Sequence, residues 1–258
     1  MTTKVDVVML TRNSERWLSQ CLASIFENVP VNRLIVIDGN STDKTFEILD
    51  EFNKVHENIK VITQNGTRGL ARARGIKEVV TDWFMFVDSD VVLCDGWFEK
   101  AKRYIQNDVG AVWGVDIPGD MANKFMVFLF KWIETRVFNI RGGCHDMLIR
   151  SDCVRDIKIP SHLHTLEDAF IKDWIAAKNY NIVVSFSPYC RHYKTMNNLF
   201  SRESIHPAFL ELKNMKLVRE RLLFAGIFAF GWLLQELGFN GKKSVKAKKP
   251  CSASHVYG

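Results

Sequence analysis

The sequence lacks several features that mark particular classes of protein. Its 258 residues include only 6 prolines, and no Pro/Gly/Ser-rich stretch divides the middle of the chain as a linker would. The 6 cysteines include no C-x-x-C pair and no long apolar run follows Met1, so we expect a reducing, cytosolic chain. A hydrophobic content of 47% excludes disorder as the main state. The expected organisation is one domain, residues 1–212, followed by a tail, residues 213–258.

Net positive charge is absent outside this tail. Residues 213–249 hold nine Lys and Arg residues against two Glu, a net charge of +7, and the rest of the chain carries a net charge of −1. A nucleic-acid-binding domain needs a basic face of its own. We therefore expect that nucleic acid is not a partner of this protein.

The tail contains an unbroken apolar run, residues 222–234, inside a candidate membrane-associating segment, residues 222–239. A helix that spans a bilayer needs about 20 apolar residues, so the run is short. Lysines and arginines flank it on both sides, which favours a segment lying on an anionic membrane, peripheral at the cytoplasmic face. A helix in the core or in an oligomer interface is the alternative.

Apolar, β-branched runs alternate with segments of helical spacing in the first ninety residues. The runs are VDVVML (5–10), RLIVID (33–38), IKVIT (59–63) and WFMFV (83–87). This alternation predicts an α/β fold with a mostly parallel central sheet and helices on both faces. A further amphipathic helix is predicted over residues 125–138, either packed on the sheet or facing an acceptor groove open to lipid.

The predicted strands end in polar residues that we expect to face one crevice, because the carboxyl ends of parallel strands lie at one edge of the sheet. Asp88 and Asp90 follow the most apolar strand, and no basic residue is near them in sequence. Two carboxylates on one side of an extended segment repel each other unless a cation lies between them. Oxygen ligands of this kind suit Mg²⁺ or Mn²⁺. The alternative is a solvated turn with capping aspartates.

Four segments at these strand ends resemble family 2 glycosyltransferases of the GT-A fold, in order and in spacing. They are VVMLTRN (7–13), IVIDGNSTD (35–43), GLARARG (69–75) and FMFVDSD (84–90). Later segments resemble the acceptor loop, the E-D motif and the late histidine of that family: RGG (141–143), MLIR (147–150), LED (166–168) and CRH (190–192). The resemblance covers roughly the first 200 residues. It implies a GT-A, Rossmann-like sheet, and the hydrophobic and basic helical tail that we expect after this sheet lies outside the resemblance.

The resemblance also implies which residues bind a nucleotide sugar. Thr11 and Asn13 of the first loop, with Asp38 after the second strand, hold the base and the ribose. Arg72 matches an Ala-Arg-Asn segment of the family and is a candidate contact of the nucleotide sugar, although Ala73 stands where Asn is usual. A solvated position on the helix surface is the alternative for Arg72.

The same resemblance implies the metal site and the catalytic base. Asp88 lies near the ribose or the metal, Asp90 coordinates the divalent cation that bridges the diphosphate, and His192 completes the coordination or contacts the diphosphate. An inverting transfer needs a carboxylate that takes the proton of the acceptor hydroxyl. Asp168 matches that base, and its neighbour Glu167 is expected to orient or bind.

The sequence therefore predicts a glycosyltransferase that moves a sugar from a UDP- or GDP-linked donor to a hydroxyl or phosphate of a glycan or lipid-linked acceptor. Inversion and dependence on Mn²⁺ or Mg²⁺ are expected. One alternative is a sugar nucleotidyltransferase, which needs a glycine-rich phosphate loop after the first strand, where residues 11–14 contain no glycine. A non-catalytic nucleotide-sugar-binding protein is the other.

Overall fold

The computed structural model describes residues 4–119, 121, 123–136, 143–164 and 167–193, together with Leu222 and Gly226. The predicted tail and its membrane-associating segment therefore lie outside the described residues, apart from those two positions. Arg141, Gly142 and Leu166 of the quoted motifs lie outside them as well. Within the described part of the chain, no helix combines the length and the apolar character needed to cross a membrane.

The described strands form one eight-stranded sheet with the order β3-β2-β1-β4-β7-β6-β8-β5. The strands are β1 (Val5–Thr11), β2 (Val31–Asp38), β3 (Ile59–Thr63), β4 (Trp83–Asp88), β5 (Val91–Leu93), β6 (Val109–Pro118), β7 (Asp146–Arg150) and β8 (Asn181–His192). β1 to β4 pair in parallel, as the alternation predicts, whereas β7 is antiparallel to both β4 and β6. The α/β prediction is confirmed, and the second half of the sheet is mixed.

Helices cover both faces of this sheet, because alternate residues of each central strand belong to different hydrophobic cores. The helices are α1 (Leu18–Asn28), α2 (Thr45–His56), α3 (Arg68–Glu78), α4 (Trp97–Ala101), α5 (Lys124–Arg136), α6 (Ser151–Val154) and α7 (Glu167–Ala177). In β1, Val7 and Met9 join the core beneath α1, α2 and α4, and Val8 joins the core beneath α3, α6 and α7. Period-two alternation within fully apolar strands produces these two layers.

The strand order places the candidate residues at one edge. β2 and β3 lie on one side of β1, and β4 lies on its other side. Ligands of such sheets bind at the carboxyl ends of the strands where the strand order reverses, so a site is expected beside β1 and β4. Thr11 is paired with Asp38, and Leu10 with Asp88. On the other side, β5 is antiparallel to β8, with Val91 opposite His192. Residues distant in sequence therefore reach one site.

Candidate functional site

Asp88, Asp90 and His192 form a group of donor atoms at the end of β4. One ligand atom of each residue lies within 4.8 Å of the others, and all three residues are half-buried. The Nε2 atom of His192 lies 3.1 Å from an Asp90 carboxylate oxygen. Two carboxylates and one imidazole suit a divalent cation such as Mn²⁺. The chemistry of the donor set thus fits the metal that the resemblance implies.

The other ring nitrogen of His192 faces a residue that the sequence analysis did not single out. Nδ1 lies 3.0 Å from the Oδ2 atom of Asp116, in β6. Burial alone lowers the pKa of His192, but the contacts with Asp116 and Asp90 raise it to about 10. Asp116 belongs to none of the sequence motifs described above. Its one signal in the sequence is an acidic residue between Val115 and Ile117 of an apolar strand.

Arg72 contributes a buried positive charge to the same crevice. It lies on α3 with 2% of its surface exposed, which excludes the alternative of a solvated helix position. Its Nη2 atom donates to Asp88 at 2.5 Å, and its guanidinium lies 4.6 Å from the centre of the Phe86 ring. Among the described residues, its buried Nε and Nη1 atoms have no hydrogen-bond partner. Unpaired buried donors of a cation are costly, so a site with this feature favours an anionic ligand.

The carboxylates of Asp88 and Asp90, the two ends of the D-S-D motif, each have a basic neighbour in space. Arg72 contacts Asp88 and His192 contacts Asp90, although both partners are remote in sequence. The motif is also tied to the first loop, because the hydroxyls of Ser89 and Ser14 lie 2.9 Å apart. The expectation that only a bound cation relieves the repulsion between the two aspartates is too strong.

Thr11, Asn13 and Asp38 lie together, in a loop-forming network. Thr11 donates to Asp38 at 2.7 Å, and Ser41 donates to the same carboxylate from its hydroxyl at 2.6 Å and from its backbone at 2.8 Å. Asp38 is fully buried, whereas Asn13 is exposed and accepts a hydrogen bond from the backbone of Thr42 at 2.8 Å. In this geometry Asp38 shapes the loop, and Asn13 lies at its surface.

Glu167 and Asp168 occupy the first turn of α7, where acidic residues interact favourably with the helix dipole. Glu167 is 5% exposed, and its carboxylate lies 4.0 Å from Nε of Arg72. Burial, with the neighbouring charge of Asp168, raises the pKa of Glu167. Asp168 is half-buried and accepts a hydrogen bond from the backbone of Ala169 at 2.8 Å. Asp168 is thus the more accessible carboxylate of the pair.

A second histidine lies behind His192. The Nδ1 atom of His145 is 2.6 Å from a carboxylate oxygen of Asp146, whose other oxygen accepts a hydrogen bond from the indole of Trp97 at 2.8 Å. Burial lowers the pKa of His145, but Asp146 and Asp116 raise it to about 9. The two histidine rings are 6.1 Å apart. This network connects the candidate cation site with the buried core around α4.

Comparison with protein families gives a match over most of the region just described. The model of the family described as Glycosyl transferase family 2 matches residues 6–155. The poly(ribitol-phosphate) beta-glucosyltransferase of Bacillus spizizenii is 34% identical over 205 residues, which cover 72% of this chain. The minor teichoic acid biosynthesis protein GgaB of Bacillus subtilis is 26% identical over 198 residues, which cover 69% of this chain. The chain spans only 32% and 22% of the lengths of these two relatives.

Solved structures show the same fold. S. aureus TarS 1-349 in complex with UDP superposes with a TM-score of 0.58 and 20% identity, covering 92% of this chain and 72% of that one. The mannosyltransferase PcManGT of Pyrobaculum calidifontis, in complex with GDP-Man and Mn²⁺, gives a TM-score of 0.61 and 15% identity, covering 82% of this chain and 61% of that one. These likenesses confirm the predicted GT-A type of sheet.

Proposed function

This chain belongs to glycosyl transferase family 2, and we propose that it moves a sugar from a nucleotide-diphosphate sugar to an acceptor. The observation that carries the proposal is the crevice at β4, where three donor atoms for a cation lie beside a buried guanidinium with unpaired N–H groups. A diphosphate with a bridging cation has the charge pattern that such a crevice complements.

The donor is proposed to be UDP- or GDP-linked, because the two superposed structures hold UDP and GDP-Man. A glycan-type or polyol-phosphate acceptor, presented on a lipid carrier or as a polymer, is proposed from the names of the two bacterial relatives. Thr11, Asn13 and Asp38 are the candidate residues for the nucleoside. In the geometry described, Thr11 and Asp38 act by fixing the loop, and the exposed Asn13 is the residue nearest to solvent.

The reaction is proposed to invert the sugar by direct displacement. Asp168 accepts the proton of the acceptor hydroxyl as that oxygen attacks the anomeric carbon, and the nucleoside diphosphate leaves. Arg72 binds the leaving diphosphate, and Glu167 holds the guanidinium from its other side. Asp88, Asp90 and His192 would hold the Mn²⁺ or Mg²⁺, which neutralises negative charge on the leaving group when it is bound.

Release of nucleoside diphosphate distinguishes the three candidate functions. The chain is incubated with Mn²⁺ and UDP- or GDP-sugars, with and without polyol-phosphate or glycan acceptors. A glycosyltransferase releases UDP or GDP in an acceptor-dependent manner. A sugar nucleotidyltransferase releases no nucleoside diphosphate, but in a parallel reaction with added pyrophosphate it converts the nucleotide sugar to a nucleoside triphosphate and a sugar 1-phosphate. A non-catalytic binding protein gives neither product. Either of these last two outcomes contradicts the proposal.

Arg72→Gln is expected to weaken donor binding by about 10- to 100-fold, the equivalent of one lost charge-assisted hydrogen-bonding group at about 1.5–3 kcal/mol. Arg74→Gln is the matched control, because Arg74 lies on the same helix, is 45% exposed and pairs with Glu78. Calorimetric titration with UDP and GDP measures both variants, and melting curves confirm that they are folded. Equal donor affinity in the two variants would exclude a role for Arg72 in binding the diphosphate.

The proposal includes an anionic membrane surface as a partner. Its support is the net charge of +7 in residues 213–249 and an aromatic face on α5. There Phe125, Phe128 and Trp132 are between 49% and 69% exposed. Aromatic rings and basic residues together are typical of segments that lie at a membrane surface.

Deleting residues 219–258 is expected to release the protein from anionic vesicles and to leave nucleotide binding intact, since each removed basic residue contributes about 1 kcal/mol near such a surface. Co-sedimentation with anionic and with neutral vesicles across a salt series measures the effect. Full-length protein that stays in the supernatant at low salt would contradict the proposal. Attachment that survives both high salt and alkaline carbonate would indicate a spanning helix instead.

A further inference from the structure

We propose that Asp116 is a positioning residue that holds the His192 ring with its Nε2 atom directed at the cation site of Asp88 and Asp90. The inference rests on the proposed function, because the cation belongs to that reaction. It assigns a role to a residue near the end of β6, outside every motif of the sequence. Asp116 does not touch the cation site directly, and its effect passes through the imidazole.

The ring of His192 has two nitrogens with different neighbours. Nε2 lies 3.1 Å from Oδ1 of Asp90, and Nδ1 lies 3.0 Å from Oδ2 of Asp116. A histidine that binds a metal through one nitrogen keeps a proton on the other, and an acceptor for that N–H fixes both the tautomer and the ring orientation. Asp116 is placed as that acceptor, which leaves Nε2 for the side that faces Asp88 and Asp90.

The backbone around His192 is already fixed by the sheet, so the rotation of its side chain is the remaining freedom. The carbonyl of His192 accepts a hydrogen bond from the backbone of Gly119 at 2.8 Å, and the next residue, Tyr193, donates to the carbonyl of Asp90 at 2.9 Å. The register of β6 and β8 sets Asp116 opposite Cys190 and Pro118 opposite His192. The Asp116 carboxylate therefore reaches the ring diagonally between neighbouring strands.

The surroundings of Asp116 give an independent reason to expect a specific role. Its neighbours along the strand, Val115 and Ile117, are 2% and 0% exposed, and aspartate is depleted in strands. The Asp116 side chain itself is 34% exposed between these two buried residues, and a carboxylate with buried neighbours is stabilised by a charged partner. Asp116 has such a partner in His192, whose Nδ1 atom lies 3.0 Å from its carboxylate oxygen. The strand thus places a carboxylate beside the ring nitrogen that does not face Asp90.

A titration with Mn²⁺ alone tests the inference on the full chain, with no donor or acceptor present. Asp116→Ala is expected to weaken Mn²⁺ binding by about 10- to 100-fold, the usual effect of removing the partner of a metal-binding histidine. Asp116→Asn keeps a carbonyl oxygen for the Nδ1 proton, so its loss is expected to be smaller. Asp95→Asn is the control for charge, because it removes one exposed carboxylate that follows β5.

The ring of His192 gives a readout that a purely structural role would not move. In NMR spectra recorded with substoichiometric Mn²⁺, paramagnetic broadening is expected at the His192 ring in the wild type and is expected to be weaker in Asp116→Ala, whereas the exposed ring of His56 on α2 serves as the unaffected reference in both. Unchanged Mn²⁺ affinity in Asp116→Ala, or an equal loss in Asp95→Asn, would overturn the inference. Wild-type Mn²⁺ binding that depends on Asp116, without any sugar transfer, would overturn the proposed function and leave the inference standing.

Discussion

Asp168→Asn is expected to lower the rate of sugar transfer by about 10²-fold or more, the usual scale for loss of a positioned general base, while donor affinity stays near the wild-type value. The amide has nearly the shape of the carboxylate but cannot take the acceptor proton. Because Asp168 is half-buried at the start of α7, the change leaves the buried contacts of the helix in place. Single-turnover transfer measures the chemical step, and calorimetry measures the donor affinity.

Two variants on α7 make this prediction specific. Glu167→Gln is expected to alter donor affinity more than Asp168→Asn does, because the Glu167 carboxylate faces Arg72 at 4.0 Å. Asp173→Asn removes a half-buried carboxylate further along the same helix and is expected to transfer sugar at the wild-type rate. Near-normal turnover in Asp168→Asn with an inactive Glu167→Gln would assign the base to Glu167 instead.

The first half of the fold follows from sequence because its signals are local. Each of the first three strands is an apolar run, and each is followed by a segment whose apolar residues recur at helical spacing. Alternating strands and helices of this kind predict parallel pairing of the strands. The ends of helices and strands are harder to predict where polar side chains form hydrogen bonds with backbone groups that a helix or strand would otherwise use. In the polar segment after β2, for example, α2 begins only at Thr45, where the Asp43 carboxylate accepts hydrogen bonds from the backbone and hydroxyl of Thr45.

The second half could not be derived in the same way. The order β7-β6-β8-β5 depends on pairings between strands up to about a hundred residues apart, such as Val91 with His192. No local pattern encodes such a pairing. For the same reason the resemblance located His192 by its motif, but the partner of its other nitrogen, Asp116, emerges only when β6 and β8 are laid side by side.

The site residues show the same division. Strand-end positions of Thr11, Asp38, Asp88 and Asp90 were predictable, because parallel strands end at one edge of the sheet. Their electrostatic environment was not predictable. Arg72 reaches Asp88 only because α3 packs against β1 and β2. This contact lowers the net negative charge that a bound cation has to neutralise. Motif spacing thus locates the carboxylates, and tertiary packing sets their charge balance.

Asp90→Asn is expected to abolish the metal dependence of donor binding. In the wild type, Mn²⁺ is expected to raise the affinity for a UDP- or GDP-sugar by about tenfold or more, because a bound divalent cation contributes several kcal/mol of charge stabilisation. Asp88 is paired with Arg72, which stays charged, whereas Asp90 is paired with His192, which can give up its Nε2 proton when a metal binds, so Asp90 is the carboxylate whose charge a cation can take over. Its own partner, His192, contacts it through Nε2, the nitrogen that would bind the metal.

The nucleotide sugar is titrated into the protein once with Mn²⁺ and once with EDTA. The measured quantity is its dissociation constant in EDTA divided by its dissociation constant in Mn²⁺. That ratio is expected to be about ten or more for the wild type and for Asp95→Asn, and close to one for Asp90→Asn. Treating the wild type with EDTA is expected to reduce its affinity for the nucleotide sugar to that of Asp90→Asn, since each change would remove the cation that Asp90 helps to hold. An Asp90→Asn chain that keeps the full metal effect would show that the cation is held elsewhere, and the group formed by Asp88, Asp90 and His192 would then be an ion-pair network that orders the loop after β4.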